Sequence, residues 1–316
     1  MSVSMSVLIR PLREDDLSAV DRIFRLAFGT FIGLPDPLTF AGDSDWTRTR
    51  WLATPEGAFV AERDGEIVGS NFGTRWGSVA TIGPLSVRPD CWDQGIAHLL
   101  LPPVLDRFQV WGVRHAGLYT FAQSAKHVNL YAKYGFWPGS LMAIMEQRPV
   151  AVTDGAGERY STVSPGDRPG VVAACRRLTD AVCDGLDLTH EIETVEREGF
   201  GDTVIVRDGR EVAGFAVCHQ GRGTEAGSGS CYVKFAAVAP GAAAPAHLER
   251  LLAACEAFAA SRGSATLIAG VSMGRASAYR ALRTRGFRTG LQGVTMHRPA
   301  AAPYHDDGDF VLDDWR

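Results

Sequence analysis

The chain has 316 residues, 46% of them hydrophobic and 22% charged, with a formal net charge of −4. That length suits two domains of common size, and the balance is that of a soluble globular protein. The acidic balance argues against nucleic acid as the main partner, and no run approaches the ~18 apolar residues of a membrane span.

In chain order, "VLIRPL" (7–12) reads as a strand. Behind the acidic "REDD", Leu17, Val20, Phe24, Ala27 and Phe28 fall at helical spacing. The loop "FGTFIGLPDPLTFAGDSDW" (28–46) follows, rich in Phe28, Phe31, Phe40 and Trp46, with Asp43 and Asp45. Aromatic and acidic residues together suit an organic cation. "GAFVAERDGEIVGSNFG" (57–73) predicts a hairpin turning at Asp64-Gly65. "SVATIGPLSV" (78–87) is a further strand. The turn "DCWDQG" (90–95) then opens a helix from about Gln94, in which Pro102 and Pro103 predict a kink or early end. "HAGLYTFA" (115–122) and "LMAIME" (141–146) are later strands, with "LYAKYGF" (130–136) between them.

The chain then repeats itself. "VRP" at 87–89 returns as "VAP" at 238–240, and "YGFWPG" at 134–139 as "RGFRTG" at 285–290, both at an offset of 151. "DGEIVG" at 64–69 returns as "DGREVAG" at 208–214, at an offset of about 144. Two copies of one domain are expected, 1–150 and 151–316, joined through the polar stretch 147–161. Each copy reads as α+β, a mixed, mostly antiparallel sheet with helices on both faces. Leu248, Leu251, Leu252, Cys255 and Phe258 make the strongest helical stripe of the second copy. The five arginines from Arg275 to Arg288 read as a solvated surface. The six cysteines form no CxxC pair and the eight histidines no HxxxH or HxH pair. Reduced core cysteines, no metal and a cytoplasmic location are expected.

The stretch 87–100, "VRPDCWDQGIAHLL", carries the chemistry. A strand, a turn and a helix opening on Gly95 can present backbone N–H groups and a positive dipole end to an anion, and Gly95 and Ala97 leave room for it. With "LYAKYGF" downstream, this stretch resembles the GNAT acetyltransferase superfamily. Val87, Pro89, Gly95, Ala97, Leu130, Tyr131, Lys133, Gly135 and Phe136 match its two motifs. Trp92 stands at its Arg/Gln position, and Ser124 and His127 at its Asn and Ala positions.

The resemblance implies two tandem GNAT-like domains with acetyl-CoA as co-substrate. Its arm would lie between the strand ending near Val87 and that around Leu118–Phe121, against Leu85 and Val87. Its pyrophosphate would rest on Trp92, Gln94, Gly95, Ile96, Ala97 and His98. Backbone N–H near Val87 would stabilise the oxyanion. Tyr131 would protonate the departing thiolate while a small primary amine attacks directly. His127, one turn before Tyr131, is a candidate base beside a water chain. A non-catalytic acyl-CoA sensor or interaction protein is the alternative; an enzyme needs the Tyr131 hydroxyl and a sensor does not. At an offset of 151, Gln94 becomes Pro245, Gly95 becomes Ala246, Ala97 becomes Leu248 and Tyr131 becomes Leu282, so the second copy is expected to lack the site. The tail "HDDGDFVLDDWR" (305–316) mixes acids with Phe310, Val311, Leu312 and Trp315, and is expected to dock with Trp315 buried.

Overall fold

The computed structural model describes residues 6–150 and 157–316. The expected boundary at 150/151 adjoins residues 151–156, which lie outside the described residues. The first half runs β1 (Leu8–Pro11), α1 (Leu17–Phe31), α2 (Trp46–Ala53), β2 (Ala58–Arg63), β3 (Glu66–Trp76), β4 (Val79–Ile82), β5 (Ser86–Val87), α3 (Ile96–Val110), β6 (His115–Thr120), α4 (Ala125–Ala132) and β7 (Trp137–Gln147). The second half runs β8 (Glu158–Arg159), α5 (Arg168–Val182), α6 (Thr189–Arg197), β9 (Gly201–Asp208), β10 (Glu211–Gly221), β11 (Gly227–Val238), α7 (Ala244–Ser261), β12 (Thr266–Ser272), α8 (Ala276–Thr284), β13 (Arg288–Arg298) and β14 (Val311–Leu312). β7 and β13 begin at an offset of 151, the spacing of the sequence repeat.

Among the described residues the strands join one sheet, in the order β1-β2-β3-β4-β6-β13-β7-β12-β11-β10-β9-β8. The last long strand of each half is exchanged. β13 inserts between β6 and β7, with Thr295 opposite Tyr119, and β7 reaches β12, with Leu267 opposite Gln147. The two halves therefore share their central strands.

In the first half, α3 and α4 cover one face of the sheet, where Leu101, Val104 and Phe108 of α3 meet Phe59, Ile82 and Leu118. α1 covers the other face, where Val20 meets Val60 and Phe72. Each half also grips the other through the loop between its first two helices. The Asp43 carboxylate accepts from the Ser228 N–H at 2.7 Å, and the Ser78 N–H donates to the Gly185 carbonyl at 2.8 Å.

One local expectation fails. α3 runs on through Pro102 and Pro103 to Val110. Pro102 has no N–H to offer the carbonyl four residues back, but the Tyr134 hydroxyl donates to that His98 carbonyl at 2.8 Å. The Tyr134 side chain, from the turn between α4 and β7, replaces the donor missing at Pro102, so the helix need not break there.

Candidate functional site

β3 is partnered first by β4 and then by β5, and its register slips by one residue between Gly73↔Ile82 and Gly69↔Val87. β4 follows β6 in parallel only over Val79–Thr81; beyond Thr81↔Gly117 the two part. Ser86 pairs with Ser70, and the Arg88 N–H bonds the Val68 carbonyl at 2.9 Å. Antiparallel alternation therefore turns the Val87 N–H away from β3, toward the gap, and Leu85 shares its phase. The Val87 carbonyl is taken by the Trp92 indole N–H at 2.7 Å.

At the rim of this gap α3 begins. Asp93 and Gly95 are left-handed, with φ of 61° and 79°. A Cβ on Gly95 would meet no atom within 4 Å, so the space beside it is open. The first N–H groups of a helix have no carbonyl four residues back, which leaves those of Gly95, Ile96 and Ala97 to face an anion. The His98 N–H is spent on the Gly95 carbonyl at 3.0 Å. Side chains take little part. Gln94 is tied to the Asp90 carbonyl and to Arg63, and Ile96 is 2% exposed in the core. The His98 Nδ1 lies 3.2 Å from the Tyr134 hydroxyl.

α4 forms the other bank. His127 and Tyr131, one turn apart, share a face of it. The half-buried Tyr131 ring lies 6.4 Å from that of Phe136, and its hydroxyl has no hydrogen-bond partner among the described residues. Burial raises its pKa above the ordinary phenol value, so the phenolate is disfavoured. The His127 ring lies 4.7 Å from Phe31 and 6.3 Å from Phe121, and burial with Lys126 nearby lowers its pKa. Phe28 stacks on Phe40 at 5.4 Å; the stretch read as a loop from Phe28 begins as the last turn of α1, so this aromatic wall joins the end of that helix, through Phe28 and Phe31, to Phe40 of the loop behind it. The acids of that loop are engaged elsewhere: Asp43 holds Ser228 of the second half, and Asp45 caps α2 through the Arg48 N–H. Among the described residues no group of three or more His, Cys, Asp or Glu is placed to hold a metal ion, and no helix is long and apolar enough to cross a membrane.

The equivalent gap of the second half is filled. β11 follows β12 from Ser230↔Thr266 to Val233↔Ala269, and Lys234 then bulges out of the β10 ladder. Beyond the bulge β14 pairs with β11, Leu312 opposite Ala236 and Val311 opposite Ala237. The tail continues as Asp314 against Gly270 and Trp315 against Gly117, where a Cβ would lie 2.2 and 2.3 Å from tail atoms; only glycine admits such approach. Trp315 is 3% exposed, as a docked tail requires. Asp313 pairs with Arg275 at 2.6 Å, so this arginine is buried and not part of a solvated surface. Pro245 opens α7 and Leu282 is buried.

Sequence reading missed a set of buried charges between the halves: Arg50, Glu191, Glu225 and Lys234. The one available signal was Lys234 inside the apolar run "CYVKFAAV" (231–238).

The model of the acetyltransferase (GNAT) family matches residues 20–136. A candidate acetyltransferase of Pyrococcus horikoshii has a like fold, at 16% identity, over 98% of this chain and 95% of that one, with a TM-score of 0.69. A GCN5-related N-acetyltransferase of Sphaerobacter thermophilus is similar at 16% identity, over 92% and 95%, with a TM-score of 0.58. One from Anabaena variabilis is similar at 16%, over 94% and 73%, with a TM-score of 0.53. At that identity the likeness is one of fold. Comparison with curated proteins gave no match. With the parted strands, the glycine-opened helix and the family match all in the same half, residues 20–136 are a domain of the GNAT acetyltransferase family, in a chain of GNAT-like α+β fold throughout.

Proposed function

We propose that the first half transfers an acetyl group from acetyl-CoA to a small primary amine, and that the second half binds no acetyl-CoA. The observation that carries this reading is the contrast between the two gaps. One is bordered by unpartnered N–H groups and an open glycine turn; the other is occupied by the chain's own β14. The N–H groups at Gly95, Ile96 and Ala97 would hold the pyrophosphate, and those of Leu85 and Val87 the arm and the thioester carbonyl. The amine lone pair attacks the carbonyl carbon, the C–S bond breaks, and Tyr131 gives its proton to the leaving thiolate. The proton shed by the amine leaves by water or by His127, whose lowered pKa keeps it neutral near pH 7.

Phe28, Phe31, Phe40 and Phe121 favour an acceptor with an apolar body. Asp43 and Asp45 give no support to a cation site, since both are tied to backbone N–H groups. A panel of primary amines with acetyl-CoA, read by release of free CoA thiol, tests the reading. Turnover with at least one amine is expected. Tight acetyl-CoA binding without turnover on any amine would favour a sensor.

A further inference from the structure

The missed charges form one buried network across the two halves. Arg50 of α2 is 2% exposed. Its Nε donates to Glu225 Oε1 at 2.7 Å and its Nη2 to Oε2 at 3.3 Å. Its Nη1 donates to the Gly83 carbonyl at 3.3 Å, and its Nη2 also to the Arg316 carbonyl. Lys234 Nζ lies 2.9 Å from Glu225 and 2.8 Å from Glu191, whose other oxygen accepts from the Trp76 indole at 3.1 Å. Burial alone would push the Glu225 carboxyl up; Arg50 and Lys234 outweigh it and keep it ionised.

Buried ion pairs cost so much desolvation that apolar packing serves stability as well or better. The placement of this network points to another use. Gly83 lies in the register slip between β4 and β5, two residues before Leu85. At an offset of 151 its counterpart is Lys234, the bulge of β11. One guanidinium thus ties the open strand break of the first half to charges and a carbonyl supplied by the second.

We propose that Arg50 is a positioning residue: by holding the Gly83 carbonyl it aims the Leu85 and Val87 N–H groups at the thioester oxygen, and the second half serves the reaction by presenting Glu225 and the Arg316 carbonyl to it. This rests on the acetyl-CoA reading above. Misplacing such donors by about 1 Å can cost on the order of 10²-fold in rate.

Glu225→Gln keeps the shape of the anchor and removes its charge; Arg50→Lys keeps the charge but not the three-way reach. Glu191→Gln, in the same network but without contact to Arg50, is the control. Turnover, acetyl-CoA KM, and calorimetric affinities for acetyl-CoA and for CoA would be measured on full-length variants, with folding checked by circular dichroism. For Glu225→Gln and Arg50→Lys we expect kcat to fall at least tenfold at near-normal acetyl-CoA KM. CoA affinity should hold, while calorimetric acetyl-CoA affinity should move a few-fold toward that of CoA, a shift small beside the loss of kcat; Glu191→Gln should change melting temperature only. If Glu225→Gln does not fold, Arg50→Lys decides alone. A folded variant with wild-type kcat, or an equal loss of kcat in Glu191→Gln, overturns the proposal. A wild type without turnover on any amine counts against the proposed function instead, and the acetyl-CoA against CoA comparison still decides the role of Arg50.

Discussion

At the scale of single residues, burial sets the chemistry. Tyr131 carries its proton at neutral pH as any phenol does, and burial disfavours the phenolate further. Tyr131→Phe removes that proton and leaves the ring, so turnover should fall on the order of 10²-fold or more while calorimetric acetyl-CoA affinity stays level. Full turnover would move the acid elsewhere. Tyr119, whose hydroxyl is buried and pushed up to about 12, would then be the next variant. A different residue effect belongs to His115 and His297, 3.1 Å apart beneath Trp315. Burial pushes His115 down to about 4, and burial with His115, Arg275 and His305 nearby pushes His297 to about 3. Below the ordinary histidine value the unfolded chain takes up protons that the folded chain refuses. Their contribution is therefore intact above about pH 6.5 and is lost as pH falls toward 4, about 2 kcal/mol for each at pH 5. Melting temperature should drop between pH 7 and 5, and drop less steeply in His297→Gln. Parallel slopes for the two proteins would refute this.

At the scale of elements, the rules of local sequence are overridden by neighbours. Two prolines in "LLLPPVL" predict a break, and α3 continues with Tyr134, from the turn after α4, lending the His98 carbonyl a donor. Tyr134→Phe withdraws that donor from the His98 carbonyl and should cost about 1 kcal/mol, a loss of a few degrees in melting temperature. An unchanged melting temperature would mean that water serves the carbonyl equally well. The tail shows the reverse. Its apolar residues predict docking, and β14 is docked, at a place no local pattern marks. Trp315→Ala would empty a buried site beside His115, His297 and Tyr304, and should cost about 3–5 kcal/mol in chemical denaturation. A loss under about 1 kcal/mol would mean that the tail is not held there in solution.

At the scale of the whole molecule, the reciprocal exchange of β7 and β13 binds the halves together, and the filling of the second gap by β14 makes them unequal. Calorimetry should find one acetyl-CoA per chain, and two would refute the reading of the second half. The repeat at an offset of 151, the α+β pattern of each half, and the motif residues Gly95 and Tyr131 could all be read from the sequence, because periodicity, turn chemistry and spacing along the chain are local properties. The proline that opens α7, Pro245, was legible in the same way, and with it the expectation that the second half lacks a phosphate-binding turn. The exchanged strands, the seat of the tail and the network from Trp76 through Lys234 to Arg50 and Gly83 could not be read. Each depends on which distant surfaces meet, and on the low-dielectric space they close around a charge. Arg50 is an ordinary helical arginine in sequence. Only the packing of α2 against the β10–β11 hairpin, with Glu225 175 positions away, makes it a buried ion beside the break between β4 and β5.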